Sequence, residues 1–173
     1  ISFAVKKADV LAQGQTRVIP IDDTELEKPI SSIFSIRKNT HSDSQIESFF
    51  DDPDEKIVVY LNERLNQLYY EMKDFNNGAL HKYLNGIIAY PALVEAISKM
   101  CDFYRDSGVD YSEKRWFKVI DHKLKGFGID LSAEYDNYSY VDLADQLLGG
   151  ISCDGLLSVK ETINEEANSG EYV

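Results

Sequence analysis

Two short patterns in this 173-residue chain contain the residue types that metal-dependent phosphodiester cleavage needs. Pro53-Asp54 is followed by Glu71-Met72-Lys73, the order of a PD…ExK nuclease site. In that chemistry two carboxylates hold a divalent cation and a lysine sits beside the attacking water. Nucleases of that family carry ExK on a strand, whereas Glu71 to Lys73 falls in the last turn of an expected helix. Pro53-Asp54 falls in a charged turn. A motif this short carries little weight without its structural context. The neighbouring carboxylates Asp51, Asp52, Asp54 and Glu55 lack the ordered ligands and the glycine of an EF-hand loop. They read as a solvated turn.

The other chemically capable residues are scattered. His41, His81 and His122 show no HxxxH or HExxH spacing, so zinc would need the fold to gather them with Cys101 or Cys153. Cys101 lies on an expected core helix, where a buried thiol is structural. The two cysteines form no CxxC and read as reduced thiols of a cytosolic protein. No serine sits in a G-x-S-x-G elbow, and Gly126-Phe127-Gly128 follows a helix, not a strand, so it is no phosphate loop. No pattern calls for a cofactor or a metal.

One surface departs from this. Lys114, Lys118, His122 and Lys125 fall four, four and three residues apart, so they line one face of a helix expected over 113–125, with Arg115 and Lys123 beside them. Opposite lies an apolar stripe of Trp116, Ile120 and Leu124. Such a face suits a phosphate backbone, an acidic partner or the protein's own carboxylates. The commoner meaning is a solvated or internally paired face. Tyr135, Tyr138 and Tyr140, with Tyr104 and Tyr111, are expected to cover a helical core rather than to form a recognition surface.

The elements that must position these residues follow from periodicity. Ile1 to Val5, Arg17 to Ile21, Ile30 to Arg37 and Lys56 to Leu61 read as strands, and Ile46 to Phe50 as a short apolar piece. From Asn62, a helix cap, the period becomes helical. Leu65, Leu68, Tyr69 and Met72 mark one helix, stopped at Asn76-Asn77-Gly78. A second runs over 79–105 and is expected to kink or restart at Pro91. The third, over 113–125, takes Ser112 as its cap and ends at Gly126 and Gly128. Residues 130–138 read as loop, Ser139 opens a short helix over 139–148, and a last amphipathic helix is expected over 155–166.

Composition narrows the class. The chain is 43% hydrophobic with 11 Tyr, 8 Phe and one Trp, too aromatic for a disordered protein. Its formal charge of -12 repels polyanions at long range. No apolar run is long enough to span a membrane. The chain opens inside a strand pattern at Ile1, so a segment upstream is expected.

Three pieces, Phe3 to Ala12, Tyr90 to Ala96, and Arg115-Trp116-Phe117 followed by Ala144 to Leu148, resemble in that order a group of uncharacterised bacterial proteins with a strand-rich front and a helical rear. The resemblance implies a bacterial cytosolic protein and brings no catalytic residues with it.

The expected fold is α+β: mostly antiparallel strands in 1–61, then a helical bundle in 62–173. The expected function is a non-enzymatic module that binds another protein or itself. The alternative is a nucleic-acid-associated protein using Lys114, Arg115, Lys118, His122 and Lys125, with a metal-dependent nuclease a distant third.

Overall fold

The computed structural model describes residues 26–42, 44–73 and 81–149. The strands expected at Ile1 to Val5 and Arg17 to Ile21, the helix stop at 76–78, the helix over 155–166 and Cys153 lie outside the described residues. What is described is α+β. A 3-10 turn, Ile30–Ile33, leads into β1 (Phe34–Lys38), β2 (Ile46–Phe49) and β3 (Ile57–Leu61). Five helices follow: α1 (Glu63–Lys73), α2 (His81–Tyr104), α3 (Arg115–Gly126), α4 (Leu131–Glu134) and α5 (Tyr140–Leu147).

The sheet corrects the antiparallel expectation. Its order is β1-β3-β2, with β3 central; β2 runs antiparallel to β3, but β1 runs parallel to it. The connection after β1 therefore passes over to the far edge before the chain returns to the middle. Asn39 organises that departure. Its backbone N–H donates to Leu61 O at 2.6 Å, and its side-chain oxygen accepts from the N–H groups of His41 and Ser42 at 2.9 and 3.0 Å. An asparagine that bonds its own following backbone is a turn device.

The strand expected from Ile30 begins only at Phe34. Pro29 starts a 3-10 turn, in which Ser32 N–H donates to Pro29 O at 2.8 Å. Residues three apart eclipse in that geometry, so Ile30 and Ile33 are buried together. In a strand they would point to opposite faces.

Strand alternation then sorts the sheet. Ile57, Val59 and Leu61 face the main core, with Phe34 and Ile36 packed against it from β1. Ser35, Arg37, Glu47, Phe49 and Tyr60 share the opposite face around Val58.

Asn62 caps α1 as expected, its side-chain oxygen accepting from Leu65 N–H at 2.9 Å. Lys38 Nζ, 2.6 Å from Glu63, ties β1 to the same helix end. No residue of α1 is buried.

α2 is one continuous helix with Pro91 inside it, so the chain does not restart there. Proline costs a helix interior about 3 kcal/mol. Here its ring is exposed, while Ile88, Ala92, Leu93, Ala96, Ile97, Met100 and Cys101 are all buried. Each large side chain among them contributes about 1.5–3 kcal/mol on burial, so packing outweighs the lost backbone bond. α3, α4 and α5 each pack on α2. Past its end, Gly108 lies so close that a Cβ there would sit 2.9 Å from the Asp102 carbonyl carbon.

α3 buries Trp116, Ile120 and Leu124 as its spacing predicts. Its cap differs. Ser112 is drawn into a turn with Asp110, whose Oδ1 accepts from Ser112 N–H at 2.9 Å, and the helix starts after Lys114. It stops on Gly128, at φ +80. There Ile129 N–H donates to Leu124 O and Gly128 N–H to Lys125 O, both at 2.9 Å, the two bonds of a Schellman motif. Residues 131–134, expected as loop, form α4 because Asp130 caps it and Leu131 is buried. Ser139 caps α5 as expected.

One buried cluster runs from Ile30 and Ile33 through β3 to α2, α3, α4 and α5. The tyrosines at 104, 111, 135, 138 and 140 pack around it, as the sequence suggests. Arg105 fastens them. Its guanidinium donates to Asp136, to Asp102 at 3.3 Å and to the Tyr140 hydroxyl at 3.2 Å, and lies 5.2 Å from the Tyr135 ring centre.

Trp116 joins sheet and helices. Its indole N–H donates to Phe50 O at 3.0 Å, and its backbone N–H to Glu55 O at 3.2 Å. Phe50 and Tyr111 flank the ring at 5.6 and 5.5 Å. Trp116→Phe should cost about 2–3 kcal/mol, from a buried carbonyl left without its donor and from the lost ring volume. Urea unfolding followed by circular dichroism measures it.

Burial of the Tyr104 phenol raises its pKa from 10.0 to about 12. Below pH 10 it is neutral in both states. Between pH 10 and 12 the unfolded chain releases this proton first, so stability falls as pH rises through that window. Tyr104→Phe should flatten the loss, seen by comparing urea midpoints at pH 9 and pH 11.

Candidate functional site

The two patterns with hydrolytic potential dissolve into structural contacts. Glu71-Met72-Lys73 ends α1, a helix, whereas nucleases of that kind carry the motif on a strand. Glu71 accepts from Gln67 at 2.7 Å, and Lys73 Nζ sits 4.4 Å from the Tyr70 ring centre. Among the acidic residues after β2, Asp52 is buried at 3% exposure and takes the Arg37 guanidinium on both oxygens, at 2.9 and 3.4 Å. That contact raises the Arg37 pKa. Asp54 reaches the same arginine at 3.5 Å, and Asp51 lies 2.5 Å from Lys114 Nζ. Cations thus occupy the spaces that a bound metal would need. Among the described residues, no three His, Cys, Asp or Glu side chains converge as a metal site. Cys101 is buried, and the apolar surroundings raise its pKa, which disfavours the nucleophilic thiolate. Gly126-Phe127-Gly128 is the end of α3 just described.

The basic helix is different, because it borders a cavity. A cleft of about 320 Å³ runs along α3, lined by Leu26, Ser112, Phe117, Lys118, Asp121, His122 and Lys125. Its apolar lining residues are Leu26 and Phe117, the latter largely buried in the core. Lys118, His122 and Lys125 come from successive turns of one helix face, as their spacing predicts.

Lys114 and Arg115 do not line the cleft. Lys114 is taken up by Asp51, and Arg115 opens the helix half-buried. So the structure brings together three of the five candidate residues and adds four that the sequence reading did not single out. Ser112 had been assigned as a cap. Leu26 is far away in the chain, and Phe117 lies off the stripe of Trp116, Ile120 and Leu124. Asp121 was legible as an acid within the basic helix.

Each basic side chain at the cleft has an acidic neighbour. Lys118 Nζ lies 2.7 Å from Glu113, Lys125 Nζ 2.8 Å from Asp121, and His122 Nε2 3.3 Å from Glu27. Asp121 raises the Lys125 pKa and keeps its ammonium charged. The carboxylates differ in freedom. The Glu113 and Glu27 side chains are 91% and 75% exposed, whereas Asp121 is held at 22%. Exposed ion pairs of this kind contribute only about 0–1 kcal/mol, so a ligand can replace Glu113 and Glu27 at little cost. The arrangement suits reversible recognition of an anionic group beside an apolar one.

Compared with protein-family models, with curated proteins and with solved structures, the chain matches none of them.

Lys118→Gln and Lys125→Gln should each change stability by less than about 0.5 kcal/mol, since both pairs are exposed. Asp52→Ala should cost about 1–2 kcal/mol by removing a buried carboxylate that accepts from the Arg37 guanidinium and the Asp54 N–H. Parallel urea titrations separate the two kinds of charge.

Proposed function

We propose that this chain is a non-enzymatic module that binds another protein, with the α3 groove as its docking surface. The observation that carries this reading is a cleft in which Leu26 and Phe117 adjoin two lysines and a histidine presented by one rigid helix. A binding site placed on a regular element keeps its geometry without a ligand. α3 is anchored from beneath by Trp116, Val119, Ile120 and Leu124, all at most 1% exposed. The helices, read as a small bundle around α2, form the support. A cytoplasmic setting belongs to the same reading, supported by the buried free thiol of Cys101.

Two features favour a protein partner over a phosphate backbone. The net charge of -12 opposes the approach of a long polyanion. Asp121, fixed beside Lys125, places a negative charge within the groove that a continuous phosphate chain would meet.

The full chain carrying a photo-cross-linking side chain at Ser112, in the groove, is compared with one carrying it at the exposed Ala133. Cross-linked adducts, either a second copy or another protein, are expected from position 112 only. A strict monomer by light scattering, with no adduct specific to the groove, would sink this reading.

A further inference from the structure

Among the described residues the sheet ends on β2, and that edge is open in its middle and closed at both ends. Asn62 N–H donates to Gln45 O at 3.0 Å, and Ile46 stands opposite Leu61. By the alternation of an antiparallel ladder, the backbone groups of Gln45, Glu47 and Phe49 turn inward to β3, and those of Ile46 and Ser48 point away from it. The bond from Asn39 N–H to Leu61 O agrees, because it shows the Leu61 carbonyl turned to the β1 side. Among the described residues, nothing takes the N–H and C=O groups of Ile46 or Ser48. On either side the edge is closed. Ser44 N–H donates to Ser42 Oγ at 3.0 Å, and Phe50 O accepts from the Trp116 indole at 3.0 Å. Ile46, Glu47 and Phe49 are exposed. Edge strands are blunted by lysine, proline or a bulge; β2 is short, but it has none of the three.

We propose that β2 accepts a short extended strand from a partner protein, with a lysine or arginine opposite Glu47 and a β-branched or aromatic residue opposite Phe49. The added strand runs antiparallel, the direction that is more stable per residue. This is a second surface, and it goes beyond the α3 groove.

The charge of the occupant follows from Glu47. Residues 39–55 hold six carboxylates and neither lysine nor arginine. Asp52 and Asp54 are answered by Arg37, and Asp51 by Lys114. Glu47 accepts from the side-chain amide of Asn39 at 3.2 Å, and no cation reaches it among the described residues. Its neighbour on one side is Tyr60 of β3; its other side is the free edge. In the added pair, Ile46 and Ser48 exchange backbone bonds with the partner, so the residue opposite Glu47 lies at a non-bonded site. Side chains approach closely there, with Cβ atoms about 4.5–5.5 Å apart. Phe49 lies on the same face as Glu47 and offers its ring to the residue opposite. Ile46, on the other face, suits an apolar one. Backbone bonds then supply affinity and these alternate side chains supply specificity. A second copy fits less well. Its charge of -12 opposes approach, and two-fold pairing about Glu47 would set the two Glu47 carboxylates against each other.

The probe is a labelled peptide, Thr-Val-Thr-Lys-Ile-Thr, whose Val, Lys and Ile fall opposite Phe49, Glu47 and Ile46. It is titrated into the full chain by fluorescence anisotropy, and exchange of the Ile46 and Ser48 amides is followed by NMR. Three control peptides carry Glu for Lys, an N-methyl group on the central Thr, or an N-methyl group on Lys. The central Thr N–H faces Ser48 O, whereas the Lys N–H points away. Saturable binding is expected, with exchange at Ile46 and Ser48 slowed. The Glu peptide and the N-methyl-Thr peptide should bind about tenfold more weakly, and the N-methyl-Lys peptide about as well as the parent. Ser48→Pro removes an outward N–H and spares the bonds to β3, so it should weaken binding about tenfold with an unchanged circular dichroism spectrum. Glu47→Lys should reverse the preference between the Lys and Glu peptides. If the two N-methyl peptides bind alike, or no peptide binds, the edge is not the site and the proposal is overturned. Equal binding of the Lys and Glu peptides overturns the cationic occupant. Protection of both amides in the free monomer would show the edge filled by the chain itself, and protection that grows with a dimer by light scattering would show a second copy there; either result overturns the proposal. None of these outcomes bears on the Ser112 cross-linking, which decides the groove separately.

Discussion

A single indole holds the two halves of the described fold together. Trp116 is fully buried on α3, and its ring N–H has to find an acceptor where no water reaches. It finds the carbonyl of Phe50, at the end of β2, while its backbone N–H takes the carbonyl of Glu55, just before β3. The segment between β2 and β3 is thereby pinned to the first turn of α3 at both ends. Arg37 on β1 grips the same segment through Asp52. Lys114 grips it again through Asp51. All three strands and the helix beside the groove are therefore referred to one short loop. Glu55 accepts a positive φ of 57 as part of that arrangement.

That constraint gives the acidic loop its meaning. Four carboxylates within five residues look like a cation site in sequence, yet the fold surrounds them with its own cations. Asp52 is the decisive member. A carboxylate at 3% exposure is tolerable only with its charge compensated, and the two-pronged guanidinium of Arg37 compensates it. The opposite holds along α3, where the ion pairs are exposed and weak. The same acid–base chemistry therefore acts as structure at the loop and as an exchangeable surface at the groove. Burial makes the difference.

The sequence was legible where local physics decides. Asn62 and Ser139 cap their helices because a short polar side chain satisfies end N–H groups from its own neighbourhood. Gly128 stops α3 because only glycine adopts that φ without strain. The four-residue spacing of Trp116, Ile120 and Leu124 marks the buried stripe before any neighbour is known. The errors share one cause, namely partners distant in sequence. Pro91 stays inside α2 because the opposite side of that helix is sealed into the core. Leu131 draws residues 131–134 into a helix by burying itself, which the polarity of the segment conceals.

By itself, then, the sequence determined β3, the long helices, the caps at Asn62 and Ser139, and the basic face of residues 114–125, because each is settled within a few residues of chain. Only the tertiary structure decided the parallel pairing of β1 with β3, the neutralisation of the acidic loop, and which of the five basic candidates meet at a cleft. Those depend on contacts such as Glu27 with His122 and Phe50 with Trp116, across 95 and 66 residues of chain. No local pattern encodes such distances. The basic face was visible in the sequence; that it borders a cleft with Leu26 and Phe117, and is paired with the protein's own carboxylates, was not.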